Sequence, residues 1–340
     1  MNKKYEPSIG IIGAGTVGQA LIAAFEGRAR ILVNDPKLGP TSVPVSVIAT
    51  HCDAVFIAVP TPLGPVGDAD TSVFESVIEE LNSIIGDSFS SSSDYPVICV
   101  KSAVPPDIVA KAGQKWPGMR LVVSPEFLRE ASARDDILNM VSLVLGGDRT
   151  SCEMIASLFK NHSNVVGPMR TSVLPDAVGA AFLKYQENAF LAMKVSFMNE
   201  FFDVFSRSES LTSWNQLQTA FHQDHERMGS THWSVPGPDG RRGWGGHCLP
   251  KDVSAFQGYA ARLGMQTPLL KAIWKRNIDD RTRCGDSTVS DTSTGCLCRP
   301  DQPTALTTWD NRHQLATVTP DSPMPAAVDV WPSPLGDHYQ

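Results

Sequence analysis

From Ser8 to about Val166, short β-branched and aliphatic runs alternate with segments long enough for helices, the pattern of a parallel sheet joined by crossover helices. The runs are IGIIG, RILVND, DAVFIAVP, PVICVKS, RLVVSP and VSLVLGG, and each closes on Gly, Pro, Asp or Ser. The chain therefore leaves each strand in a turn at its carboxyl end, the edge along which open α/β sheets bind ligands. From Asp176 to Arg207 there is no proline and the residues are apolar on more than one face, which predicts one helix of roughly 30 residues, about 45 Å long. Such a helix needs cover on several sides, from its own domain and from a second subunit. VPGPDGRRGWGGHCLPKD reads as a loop, followed by a helix from Val253 to Leu263. Leu269, Leu270, Ile273, Trp274 and Ile278 predict another from Thr267 to Asp280.

Beyond Arg283, Ser, Thr, Pro and Asp dominate and no amphipathic period survives. The expected class is α/β. A Rossmann-type doubly wound parallel sheet covers residues 1–167, an all-helical central domain with the long helix and the cysteine loop covers 168–282, and a disordered tail covers 283–340.

Composition narrows the function. Of 340 residues, 42% are hydrophobic and 19% charged, which suits a globular chain, and the net charge of -7 with no long basic run disfavours a nucleic-acid partner. No apolar run is long enough to span a bilayer, and the N-terminus lacks the pattern of a signal peptide, so no membrane association and a cytoplasmic location are expected. Seven cysteines form no regular framework, consistent with reduced thiols. Cys284, Cys296 and Cys298 have no fourth ligand at a zinc-ribbon spacing, so no metal is expected.

Gly13, Gly15 and Gly18 form GxGxxG after a strand and before a helix, around Thr16 and Val17. Asp35 closes the second strand about 20 residues on, where a carboxylate accepts from ribose hydroxyls and repels a 2'-phosphate. The expected cofactor is NAD, with Lys37 beside it. Cys248 lies in GWGGHCLPKD and is either a packed thiol or a nucleophile, with Lys251 and His247 as neighbours able to favour a thiolate. Lys184 and Asn188, four apart, share a helix face that is either a solvated stripe or, with Phe182, Leu183, Phe190 and Leu191 around it, a partly desolvated site. In the second case the lysine pKa would be depressed. Glu126 and Glu130 in SPEFLRE fit an ordinary helix start or acid–base chemistry equally well.

Taken in order, GAGTVG, VPTP, KSAVPP, SPEFLRE, KYQENAFLAMKVSFMNE, ERMG and GWGGHCLPKD resemble the UDP-glucose/GDP-mannose dehydrogenase family over about Ser8 to Asp280. The resemblance implies NAD-dependent, four-electron oxidation of a nucleotide-sugar 6-hydroxyl to the uronic acid, UDP-glucose to UDP-glucuronate. It makes Cys248 the thiohemiacetal and thioester nucleophile and Lys184 the oxyanion stabiliser. Asn188 orients substrate, Asp252 positions water and Lys184, and Glu126 is the acid–base group of hydrolysis. Pro60, Thr61, Ser102 and Glu130 fall to the cofactor, and Phe127, Leu128 and Gly245 to substrate. Arg227 matches an arginine that reaches the neighbouring subunit, implying a homodimer. Three departures stand out: Ala103 replaces a threonine, Ala181 replaces a glutamate, and a Ser/Thr/Pro-rich tail stands where the family has a second α/β domain. Two other readings stay open. One is a β-hydroxyacid dehydrogenase making a single hydride transfer without a thiol, and the other is an inactive, truncated NAD-binding remnant.

Overall fold

All six apolar runs form strands: β1 (Ser8–Ile12), β2 (Arg30–Asn34), β3 (Ala54–Ile57), β4 (Val97–Val100), β5 (Leu121–Val123) and β6 (Ser142–Gly147). A computed structural model of the chain describes residues 6–64, 67–88, 95–166, 169–224, 229, 231–282, 306–309 and 315–318. A seventh strand, β7 (Arg170–Leu174), carries the sheet past the expected domain end at residue 167. The order is β2-β1-β3-β4-β5-β6-β7. Successive connections leave β1 in opposite directions, toward β2 and then β3, so the ligand crevice of such a sheet lies at their carboxyl ends. β3 and β4 are buried at every residue, which is why AVFI and VICV are apolar without alternation.

The sheet is not parallel throughout, as the spacing of the runs predicts. β5 and β6 pair antiparallel, Val122 opposite Gly147 and Val123 opposite Gly146, while β6 and β7 run parallel to each other. A parallel partner needs a crossover that returns the chain to the starting edge. The segment after β5 instead starts β6 beyond the carboxyl end of β5, so the chain runs back.

The helices are α1 (Thr16–Phe25), α2 (Val45–His51), α3 (Ser72–Ser88), α4 (Pro106–Lys115), α5 (Ala133–Leu138), α6 (Arg149–Asn161), α7 (Ala177–Phe205), α8 (Trp214–Phe221), α9 (Cys248–Arg262) and α10 (Pro268–Thr282). One core packs against one face of the sheet around Phe25, Phe56 and Phe159, whose ring centroids lie 5.0 to 6.0 Å apart. A second core, with Ile48, Phe74, Ile78 and Leu81, fills the other face and includes Ala180 and Ala181 of α7. Asp176 caps α7 by accepting from Gly179 N–H at 2.7 Å. A side chain at Gly146 would strike the Asp176 carbonyl and the Ala180 methyl, so the first turn of α7 lies directly on β6. No helix among the described residues is long and apolar enough to cross a membrane.

α9 starts five residues before the helix expected at Val253. Gly and Pro make CLPKD look like loop, yet Pro250 sits in the first turn, where a helix needs no N–H from it. The helix thus opens on Cys248. The two sheet edges differ. Val43 N–H donates to Val33 O at 2.8 Å and Asn34 Nδ2 donates to Val43 O at 2.8 Å, folding a loop along β2. At the other edge, Arg170, Thr171, Ser172 and Val173 of β7 are exposed. In the separate unit of residues 296–340, Leu306–Trp309 and Leu315–Val318 pair antiparallel; composition gave no sign of these strands.

A polar knot holds α7, α10 and the glycine loop together. Asp203 binds Arg242 and Arg276, each at 2.6 Å, and buried Asp280 binds the same two arginines at 3.2 and 2.8 Å. The Arg242 guanidinium, seconded by Arg276 against the opposing effect of burial, holds the Asp203 pKa down at about 2. A carboxylate depressed on folding stabilises above its unfolded pKa and loses that contribution as pH falls through the folded value. Asp203→Asn is therefore expected to cost about 2 kcal/mol at neutral pH. In parallel thermal melts the difference from the unmodified chain should shrink between about pH 4 and pH 2; a difference independent of pH would remove the electrostatic account.

Candidate active site

The glycine turn after β1 is shaped for a dinucleotide. Gly13 has φ of +96°, and a side chain there would strike the Ala58 carbonyl. At Gly18 one would strike the Gly13 carbonyl, so this glycine lets α1 close on the strand. Gly15 faces open space, and no side chain caps α1 at this point. An uncapped helix N-terminus beside open space fits a pyrophosphate. Thr16 is exposed and Val17 half-buried in the first turn.

Asp35 ends β2 with its carboxylate accepting from Ala14 N–H at 2.7 Å and Lys37 N–H at 2.8 Å. The Ala14 bond, then that of Lys37, lowers its pKa, keeping the charge beside the turn. Lys37 takes part through its backbone as well as its charge. Pro60 is exposed, but Thr61 is buried and its hydroxyl donates to the Ala103 carbonyl at 3.0 Å. Ser102 donates to Val59 O at 2.8 Å, bracing the strand ends rather than projecting from them. Glu130 is exposed at the start of a short 3-10 turn.

Beyond the carboxyl edge of the sheet, α7 and α9 bring four polar groups together with the segment after β5. Lys184, 5% exposed, donates from Nζ to the Glu126 carbonyl at 2.6 Å and lies 3.1 Å from Glu126 Oε1. Burial presses the ammonium pKa down, but Glu126 and then Asp252 outweigh it, so the net shift is upward. The depressed value expected for a desolvated lysine is thus reversed by its neighbours: Lys184 is a held cation, suited to receiving an oxyanion. Asn188 donates from Nδ2 to Asp252 Oδ2 at 2.5 Å, and the other Asp252 oxygen takes Lys251 Nζ. Asp252 is 1% exposed. Glu126 turns its second oxygen back to Leu128 N–H at 2.7 Å. The Phe127 ring centroid lies 5.6 Å from Lys184 Nζ, and Leu128 packs at the rim of the first core.

Cys248 opens to solvent at the first position of α9. The surrounding protein nevertheless desolvates the thiol enough to raise its pKa, with Lys184 pulling down and Glu126 and Asp252 opposing that pull. Lys251 also pulls down, but more weakly than Lys184, and desolvation outweighs both lysines. Gly245 lies against Arg281, whose guanidinium a side chain there would strike. Arg281 Nε donates to Trp244 O at 3.1 Å and ties the glycine loop to α10. Arg227, Cys284, Cys296 and Cys298 lie outside the described residues.

The structure adds groups that residue spacing did not single out. Lys101, 4% exposed at the end of β4, donates to Ser124 Oγ at 3.2 Å and to Pro125 O at 3.4 Å. A lysine closing the apolar run VICV was the available signal. Tyr185, next to Lys184, donates its hydroxyl to the Ala103 carbonyl at 3.2 Å, so Ala103 is gripped by two hydroxyls. Ala181 is 3% exposed in the core and puts no carboxylate near Lys184.

An uncapped glycine turn at the switch point, with the Asp35 carboxylate beside it, fits a protein that binds a dinucleotide. The family model for the UDP-glucose/GDP-mannose dehydrogenase NAD binding domain matches residues 38–163, and that for the central domain matches residues 179–279. The chain belongs to the UDP-glucose/GDP-mannose dehydrogenase family, and its cofactor is NAD. It is 31% identical over 231 residues to a UDP-glucose 6-dehydrogenase of Rickettsia felis, covering 67% of this chain and 48% of that protein. The chain spans about half the length of the relatives it matches. The fold is similar to that of a UDP-glucose dehydrogenase from Pyrobaculum islandicum, with a TM-score of 0.64, 24% identity, and coverage of 82% of this chain and 69% of that one. It is also similar to that of 3-hydroxyisobutyrate dehydrogenase from Mycobacterium tuberculosis, with a TM-score of 0.62, 16% identity, and coverage of 82% and 96%. These two likenesses speak for the fold.

With its carboxylate charged and beside the turn, Asp35 would face the extra phosphate of NADP. NAD is expected to bind at least about tenfold better, measured by fluorescence titration. Equal affinities would take the discriminating role from Asp35.

Proposed function

We propose that the chain oxidises the 6-hydroxyl of a nucleotide sugar to the carboxylate in two steps, with Cys248 as covalent nucleophile. The observation that carries this reading is the meeting of α7, α9 and the segment after β5, which joins Lys184, Asn188, Asp252 and Glu126 by hydrogen bonds and brings Lys184, Glu126 and Asp252 within electrostatic reach of an accessible thiol. When bound, NAD supplies the hydride acceptor for each oxidation. The residues do the rest. Cys248 adds through Sγ to the aldehyde carbon, its proton passing to a base or to water, and the new oxyanion falls to the Lys184 ammonium. Loss of the second hydride leaves a thioester. Water, positioned by Asp252 and deprotonated by Glu126, hydrolyses it and returns the thiol. Asn188, held by Asp252, is placed to orient the sugar.

UDP-glucose, giving UDP-glucuronate, is the preferred substrate of this reading, supported by the names of the relatives. A cytoplasmic location goes with it. A homodimer is supported by Phe190, Phe197, Phe201 and Val204, which stand 47% to 69% exposed along one side of α7, an apolar stripe that a second copy would cover. Phe197→Asp is expected to shift the protein from dimer to monomer in sedimentation velocity; an unchanged species would place the interface elsewhere.

A single hydride transfer of the β-hydroxyacid dehydrogenase kind would use the Lys184–Asn188 pair on α7, but leaves Cys248 without a task. NADH and product are therefore counted together, by absorbance and mass spectrometry, on UDP- and GDP-sugars. The covalent route requires two NADH for each acid, and Cys248→Ser should stall after the first oxidation or at a slowly hydrolysed ester. One NADH per product with an unaffected variant sinks the route; none with any nucleotide sugar favours an inactive remnant.

A further inference from the structure

Lys101 has no part in the chemistry above, yet it is 4% exposed at the end of β4. Burying an ammonium group is costly even after relaxation, and an apolar side chain would fill the space as well. Burial does press its pKa down and the nearby Lys184 adds to that, while Cys99 and Glu126 favour the charged form. Its hydrogens go to the segment that leaves β5, on Ser124 Oγ at 3.2 Å and Pro125 O at 3.4 Å. That segment has few ties of its own. Ser124 N–H is used on Val100 O at 2.9 Å, and Pro125 has no N–H to give. The next residue is Glu126, whose carbonyl receives Lys184 at 2.6 Å. One short stretch of backbone is thus gripped from the sheet by one lysine and from α7 by another.

We propose that Lys101 is a positioning residue: by holding Ser124 and Pro125 it fixes where Glu126 presents its carbonyl and carboxylate to Lys184, and so how strongly Lys184 acts on Cys248. The assignment rests on Cys248 and Lys184 being the reacting pair. A residue that merely satisfied the buried Pro125 carbonyl would affect stability alone. A residue that sets Lys184 would also move the ionisation of a thiol that it does not touch.

The test is alkylation of Cys248 by iodoacetamide in the full chain, followed by peptide mass spectrometry across about pH 6 to 10. Unmodified protein, Lys101→Met, Lys184→Met and the double variant are compared. Lys101→Met should raise the midpoint by about one pKa unit, an alkylation rate about tenfold lower below the midpoint. Lys184→Met should move it at least as far, and the double variant no further, because the two act through one path. NAD affinity should stay within about twofold, since the glycine turn and Asp35 are untouched. Lys101→Gln, which keeps a donor, should recover part of the shift, and it carries the comparison if the methionine variant does not fold. An unchanged profile in folded variants, whatever the loss in melting temperature, overturns the proposal. So does a double variant whose shift is the sum of the two. Alkylation needs no turnover, so an unmodified chain that releases no NADH would sink the proposed oxidation while this comparison still stands or falls on its own result.

Discussion

The contact between Lys184 and Glu126 is the constraint around which the rest is arranged. A lysine in the middle of a largely apolar helix can stay charged away from water only if oxygen atoms meet it, and the Glu126 carbonyl and carboxylate do so from a different element. That meeting requires α7 to lie on the sheet, which the absence of a side chain at Gly146 permits. It also requires the β5 exit to turn toward α7 instead of away. Asp252 adds negative charge from a third element, so the three pieces are brought together by one cation rather than by apolar packing alone.

A second set of contacts governs where the thiol sits. The glycine loop before Cys248 is bonded to α7 through Asn199 and to α10 through Asn277 and Arg281. Behind Cys248, α9 is bonded to the loop that follows β3, by Ser254 on Gly67 O at 2.6 Å and by Arg262 on Asp68, and to the first turn of α4, by Arg262 on Asp107. α9 is thus tied along its length and the loop before it is tied separately, although Gly245 and Gly246 give the approach to Cys248 little stiffness of its own.

Much of this was legible in the amino-acid sequence. The largely buried strands β1 and β3 to β6 stood out as aliphatic runs, and the edge strand β2 did so through RILVN, as did α7 and the glycine turn closed by Asp35. β7 did not, because RTSVL is an exposed edge strand and its polar residues hide it. The direction of β6 was beyond reach, since a connection's length does not say at which edge it re-enters. α9 was placed too late because Gly and Pro usually mark loops, while a proline in a first turn is neutral. Cys248, Lys184, Asn188, Asp252 and Glu126 were found as residues, but the sign of the Lys184 shift was not, because it depends on which carboxylates surround the ammonium in space. Lys101 was missed for a related reason: its partners are 23 and 24 residues away and include a backbone carbonyl.

The two rims of the sheet bear on how the molecule avoids sticking to its own kind. Any open sheet ends in strands with unspent hydrogen-bonding groups, a template on which another chain can add. At β2 a loop is drawn along the rim, Val43 N–H donating to Val33 O and the Asn34 side chain holding Val43 in place. Among the described residues no such loop is drawn across β7, and the rim is dressed instead with Arg170, Thr171 and Ser172, leaving Val173 as the exposed aliphatic residue of that strand. An arginine on a bare rim must shed water before a second strand can lie flat against it. One margin is thus partly occupied by the chain's own loop, while the other keeps strangers off by the hydration of its side chains.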